Sequence, residues 1–223
     1  MKKAIVLLSG GLDSTTVLYL AKSRGYEVHA LIFHYGQRHS REVTQARAIA
    51  RRAGCPAHVV RFSLPWKGSS LLDPAARLPL NRRAMKGIPS TYVPARNTIF
   101  LSFALSWAEA IRADSIFIGA NALDYSGYPD CRPAYFSVFQ RLGRLATKRG
   151  VEGAAVRIEV PLLRMKKSQI IKAGVKLGAP YELSWSCYQG GKSPCGRCDS
   201  CLLRAKGFRE AGIRDPLMEK KSG

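Results

Sequence analysis

Two short stretches of this sequence concentrate residues that can do chemistry. The first is Ser9-Gly10-Gly11-Leu12-Asp13-Ser14-Thr15, and the second runs from Cys187 to Cys201. In the first, paired glycines let a phosphate reach the backbone, because no side chain stands in its way. Ser9, Ser14 and Thr15 add hydroxyl donors. A carboxylate such as Asp13 repels phosphate unless a divalent cation lies between them, which points to Mg²⁺. The spacing is neither G-x-x-x-x-G-K-[ST] nor G-x-G-x-x-G, so two familiar phosphate loops are excluded.

In the second stretch, Cys187, Cys195, Cys198 and Cys201 follow the spacing C-x₇-C-x₂-C-x₂-C. Pairs two residues apart can turn both sulfurs onto one ion, and four thiolates satisfy tetrahedral Zn²⁺ with no open position. The expectation is one structural zinc per chain, pinning a segment with little core of its own. An iron–sulfur cluster is the competing occupant. Cys131 is a lone cysteine without a placed base, a poor candidate for a nucleophile.

These groups need a scaffold. The apolar run from Ala4 to Leu8 reads as a strand buried on both faces, and a helix can start at Asp13 with Val17, Leu18 and Ala21 on its apolar side. A strand that turns on glycines into a helix aims free N–H groups and the positive helix end at one point. The nucleotide contacts are therefore expected along Leu8, Ser9, Gly10, Gly11, Leu12, Asp13, Ser14, Thr15, Thr16, Val17 and Leu18. A second buried strand is expected over 27–33 and further strands over 58–62, 115–119 and 155–160, with helices over 41–52, starting within 92–98, over 135–149 and from 165. In the third helix the stripe Ile99, Phe100, Phe103, Ala104, Trp107, Ala108 and Ile111 reads as core. The alternation predicts an α/β fold, a doubly wound five-stranded parallel sheet, over residues 1–180, with a small zinc-binding segment over 181–223. The long stretch 63–94 has the length of a binding loop or lid.

Open α/β sheets place ligands at the carboxyl ends of their strands. Polar residues gather at these ends: Gln37 and His39 after the second strand, and Lys167 after the fifth. Arg96 and Asn97 open the third helix, where a ligand can meet the helix N-terminus, although Asn97 also suits a plain cap. The loop after the fourth strand holds Asp124, Tyr125, Tyr128, Asp130 and Arg132. Asp124 and Asp130 can pair with the N–H groups of a purine-like ring, and Tyr125 or Tyr128 can stack on it. Asp13, Arg96 and Lys167 are the expected catalytic residues.

Composition narrows the class. The 223 residues are 46% hydrophobic and 23% charged, as in globular proteins, and no long apolar span or signal peptide is visible. The expected location is the cytoplasm, with no membrane partner. Thirty-six Lys and Arg against 15 Asp and Glu give a net charge of +21. The basic residues are scattered, which favours attraction of small anions over a nucleic-acid footprint.

Taken in order, Ser9 to Thr15, Tyr35-Gly36-Gln37-Arg38-His39, Val93 to Asn97, Gly119 to Arg132 and Ser186 to Cys201 resemble the 7-cyano-7-deazaguanine synthase family of queuosine biosynthesis. The first loop alone is similar to that of the wider N-type ATP pyrophosphatases. The resemblance implies an adenine nucleotide alpha hydrolase-like fold, a homodimer, and the substrates ATP, 7-carboxy-7-deazaguanine and ammonia. It implies adenylation of the acid, amide formation, then a second activation that yields the nitrile. The alternative is a thiolase-type tRNA-modifying enzyme that adenylates a base with the same loop.

Overall fold

A computed structural model describes residues 1–81, 87–123 and 127–219 of the chain. Its strands are β1 (Lys3–Leu7), β2 (Glu27–His34), β3 (Ala57–Arg61), β4 (Ser115–Ile118) and β5 (Arg157–Glu159). Its helices are α1 (Leu12–Ser23), α2 (Arg41–Arg52), α3 (Arg96–Ala110), α4 (Pro133–Ala146), α5 (Lys148–Val151), α6 (Lys167–Lys176), α7 (Asp199–Ala211) and α8 (Pro216–Glu219). The strands form one sheet in the order β3-β2-β1-β4-β5, and all four pairings are parallel. Among the described residues the fold is the doubly wound five-stranded sheet that the apolar runs imply.

The strands alternate their side chains between two cores, as a period of two requires. Ala4, Val6, Leu8, Ala30, Ile32 and Phe117 face one side, against residues of α1, α2, α6 and α7. Ile5, Leu7, Leu31, Phe33, Ile116 and Ile118 face the other, against α3 and α4. The inner strands β1, β2 and β4 read as near-continuous apolar runs because both faces are covered, while the edge strands β3 and β5 hold no buried residue.

The α3 stripe needs correction. Its buried side chains are Leu101, Ala104, Leu105 and Ala108, together with Asn97, while Phe103 is 42% exposed. Its aromatics stand at the sheet margin: Phe100 stacks on Phe33 with centroids 4.0 Å apart, and Phe103 lies 5.5 Å from Phe62. Aromatic pairing there competes with burial, so the apolar pattern overstates how deeply that side sits. The helix expected over 135–149 is broken at Thr147, whose side chain accepts from Gly150 N–H and caps α5.

The stretch 63–94 contains no strand or helix among its described residues, and it is pinned rather than loose. Arg38 donates to the carbonyls of Ser70, Pro74 and Ala76. Leu80 pairs with Cys198 in an isolated antiparallel bridge, and Asn81 N–H donates to Arg197 O at 2.8 Å. The C-terminal segment is fastened by Arg204, which meets Asp215 through two N–H···O bonds of 2.6 and 2.8 Å and also holds Ser184 and Tyr181. Phe208 and Ala211 of α7 share a core with Ile170 and Ile171 of α6.

Two glycines let the elements close at the carboxyl end of the sheet. Gly10 has φ +81°, and a Cβ there would lie 2.5 Å from Glu42 O and 2.8 Å from Ala46 N. At Gly119 a Cβ would lie 2.9 Å from Ser14 N. Gly10→Ala combines left-handed strain with backbone contact, so it should cost about 1–3 kcal/mol. At this chain length that corresponds to a fall in Tm of a few degrees per kcal/mol, measurable by thermal denaturation. An unchanged Tm would show that α2 yields freely.

Candidate active site

The strand order reverses between β1 and β4, and the crevice at such a reversal is where open sheets bind ligands. A cavity of about 220 Å³ opens there, lined by Leu8, Ser9, Gly11, Leu12, Asp13 and Ser14 from the glycine loop. Local hydrogen bonds shape that loop. Ser9 N–H donates to Ser14 Oγ at 3.2 Å, and Gly11 N–H to Ser9 Oγ at 3.3 Å. The Ser14 and Thr15 hydroxyls donate to Gly11 O at 3.1 and 2.7 Å. The rest of the expected contact stretch plays another part. Gly10 faces α2, Thr16 meets Tyr181 OH at 2.6 Å, and Val17 and Leu18 are buried in the core.

Asp13, in the first turn of α1, is met on both oxygens by Lys167 Nζ from the start of α6, at 2.7 and 2.8 Å. Both side chains line the cavity and are only 16% and 10% exposed. The pair brings together residues far apart in sequence and places a cation at the mouth of the loop. Asp13 with one acidic side chain suits the usual Mg²⁺ arrangement, in which one or two carboxylates act together with substrate phosphates.

The opposite wall is aromatic and basic. Phe33, Tyr35, Phe100 and Tyr128 line it, with Arg96 and Asn97 from the first turn of α3. Arg96 donates to Tyr35 OH at 3.4 Å. Burial works against its charge, but Tyr35, Tyr128 and Asp130 more than offset this and hold its pKa above the ordinary value. Gln37 lines the cavity with its amide braced on the loop, accepting from Tyr35 N–H and donating to Phe33 O.

Asp130 and Asn97 are engaged with each other. Asn97 N–H donates to Asp130 Oδ2 at 3.0 Å and its side-chain amide to Asp130 O at 3.0 Å. Asp130 is buried and caps α3 from a loop 33 residues away. Asp130, Arg132 and His39 are not among the cavity's lining residues, whereas Tyr128 is. His39 packs against Gly190 instead, and burial lowers its pKa. Asp124 and Tyr125 lie outside the described residues. Burial, reinforced by Asp130, pushes the Cys131 thiol up to about 12, so it stays protonated.

Sequence reasoning missed the third wall. Glu42, in the first turn of α2, lines the cavity, and so do Trp185, Ser186 and Tyr188 beside the cysteines. Arg41 stacks over the Trp185 ring at 3.9 Å and tightens this contact. Burial pushes Glu42 up to about 7, Arg96 pulls it down, and Cys187 adds to the rise. The available signal was position: Glu42 follows the polar end of β2, where ligands gather.

The four cysteines converge. One ligand atom from each of Cys187, Cys195, Cys198 and Cys201 lies within 4.8 Å of the others. Tetrahedral coordination at about 2.3 Å sets sulfurs near 3.8 Å apart, and Cys195 and Cys201 stand at 3.9 Å. Backbone N–H groups of Cys195 and Cys198 donate to the sulfurs of Cys187 and Cys195 at 3.3 Å, which suits thiolate ligands. The donor set fits a metal ion.

A family profile described as "Queuosine biosynthesis protein QueC" matches residues 3–212. The chain is 55% identical to the 7-cyano-7-deazaguanine synthase of Trichodesmium erythraeum, over 97% of this chain and 100% of that one. It is 54% identical to the protein of the same name from Thermoplasma acidophilum, over 99% and 93%. Among solved structures, one described as a predicted subunit of tRNA methyltransferase from Methanocaldococcus jannaschii aligns with a TM-score of 0.52 at 14% identity. That alignment spans 96% of this chain and 90% of that one, and the likeness is one of fold.

Lys167→Met removes the cation from both Asp13 oxygens and should destabilise the chain by about 3 kcal/mol. Asp13→Asn in the same chain should return much of that loss, which a double-mutant cycle of denaturant unfolding measures. Additive effects would show that the two groups do not interact.

Proposed function

The chain belongs to the QueC family of queuosine biosynthesis proteins, and on that premise we propose that it converts 7-carboxy-7-deazaguanine and ammonia to 7-cyano-7-deazaguanine, using ATP. The full-length identity to enzymes of that name carries the reading.

A carboxylate becomes an electrophile only when one oxygen can leave as part of a phosphate ester. The acid's oxygen attacks the α-phosphorus of ATP, pyrophosphate leaves, and ammonia then displaces AMP to give the amide. A second activation of the amide oxygen lets the C–O bond break as nitrogen loses its protons, leaving the nitrile. The loop from Ser9 to Thr15 would hold the phosphates by its N–H groups, its hydroxyls and the start of α1. Lys167 neutralises Asp13 at the mouth of the loop; Lys167 would hold phosphate and Asp13 would hold Mg²⁺. Mg²⁺ supplies charge neutralisation on the phosphates. Arg96, on the aromatic wall, would meet the substrate carboxylate or the phosphate, and Tyr35, Phe100 and Tyr128 would flank the deazaguanine ring.

Residues 1–180 are read as the nucleotide-binding unit and 181–223 as the metal-holding segment, with zinc as its ion. No helix among the described residues is long and apolar enough to cross a membrane. Gln37, His39, Asn97, Asp124, Tyr125, Asp130 and Arg132 are kept as substrate-side residues, with Asp130, Asn97 and Gln37 acting through the loops they brace. A homodimer is retained from the family resemblance. A thiolase-type tRNA enzyme requires a cysteine that carries sulfur. Four cysteines here form a donor set, Cys131 is buried with a raised pKa, and burial also raises Cys55.

Nitrile should form when the purified chain receives 7-carboxy-7-deazaguanine, ATP, Mg²⁺ and ammonium, followed by chromatography. Asp13→Ala should reduce turnover by roughly a hundredfold or more. Absence of product with the wild type, or normal turnover in the variant, would overturn the respective assignment.

Elemental analysis should find zinc equimolar with the chain, and Cys198→Ala should lose it and melt at lower temperature. Iron with acid-labile sulfide would replace the zinc assignment.

A further inference from the structure

Resting on the reading that ammonia is the nucleophile, we propose that Glu42 is a catalytic residue that binds ammonium in the cavity and removes its proton. Ammonium has no lone pair, so it must lose a proton before nitrogen can attack carbon. Near neutral pH most of the pool is ammonium. A site drawing on that pool needs an anionic acceptor beside the activated substrate.

Among the described residues, two acidic side chains line the cavity, Asp13 and Glu42. Asp13 is held on both oxygens by Lys167 and stands at the phosphate loop. Among the described residues, no ion pair of that kind holds Glu42. Its backbone is fixed, because its carbonyl packs against Gly10, and its side chain faces the same cavity as the loop and Arg96. The charged or titratable groups facing it are Tyr35 after β2, Arg96 from α3 and Cys187 from the C-terminal segment. Burial favours the acid, and Arg96 favours the carboxylate. The balance near 7 lets the group accept a proton and release it again.

The step balances simply. The Glu42 carboxylate takes one proton from ammonium and becomes a carboxylic acid. The freed lone pair forms the C–N bond, the bond from the acyl carbon to the AMP oxygen breaks, and AMP leaves with that electron pair. The second proton on nitrogen passes to water, and Glu42 returns its own proton to solvent.

The test uses the full-length enzyme and Glu42→Gln, which keeps shape and removes the base. With ammonium, kcat/KM should fall by roughly 10²–10⁴, while KM for ATP changes little. Hydroxylamine is largely neutral near pH 7 and needs no such deprotonation. With it in place of ammonium, the variant should form hydroxamate at close to the wild-type rate. The wild-type kcat/KM for total ammonium should level off above about pH 7.5, whereas the variant's should climb about tenfold per pH unit with free ammonia. Glu42→Asp, with a base retained, should keep the levelling-off. Equal losses with ammonium and hydroxylamine, or a raised KM for ATP with ammonium kinetics unchanged, would overturn the proposal. Wild-type enzyme that makes no nitrile from the acid, ATP and ammonium would instead overturn the reaction on which the proposal rests.

Discussion

The ion pair between Asp13 and Lys167 is the contact around which the site is arranged. It ties the first turn of α1 to the first residue of α6 across the reversal point of the sheet. Lys167 is itself positioned from behind, since Gly207 of α7 packs on its stem so closely that a Cβ would lie 2.3 Å from Lys167 Cγ. The phosphate loop, the cation at its mouth and the helix following the cysteines therefore form one packed series. Two largely buried charges at this distance are costly to separate in a dry site but easily exchanged for a ligand of the same charge pattern. A triphosphate with its cation has that pattern, with anionic oxygens for Lys167 and a divalent ion for Asp13.

Much of the fold was legible because its constraints are local. Buried parallel strands must be apolar on both faces, and β1, β2 and β4 are visible as such runs, whereas the edge strands β3 and β5 carry His58, Arg61, Arg157 and Glu159 and hold no buried residue. The glycine loop was legible for a similar reason: at Gly10 any side chain would strike the backbone of α2. The four cysteines declared their grouping by spacing alone, as chelation by pairs two residues apart allows.

What could not be read depends on distant partners. Asp130 has the composition of a base-reading acid, but its carboxylate meets the Asn97 N–H in another element. Asn97 was read equally well as ligand or cap, and only its meeting with Asp130 shows how its polar groups are used. Glu42 looked like an ordinary acid in a helix's first turn, where such residues are favourable in any case. Its place in the cavity follows from the close approach of α2 to Gly10, which periodicity does not reveal. The exposed edge of α3 was hidden likewise, because an aromatic at a sheet margin has the same pattern as one in the core.

The C-terminal segment is then more than a tail with a metal site. Its own buried cluster consists of Trp185 with Cys187, Cys198 and Cys201, too little apolar surface to order a loop unaided. Yet Trp185, Ser186 and Tyr188 complete a wall of the cavity. The fold supplies part of the missing order through Arg204, through Arg41 against Trp185, and through the Leu80 bridge to Cys198. These contacts leave the crossing from Cys187 to the Cys195–Cys201 turn, where Cys195 N–H donates to Cys187 Sγ at 3.3 Å. Four sulfurs converging on one point make that last crossing, and an ion there would bind the cavity wall to α7. The physical role of the cysteines is thus tied to the shape of the site, although none of their sulfurs needs to touch the reacting atoms.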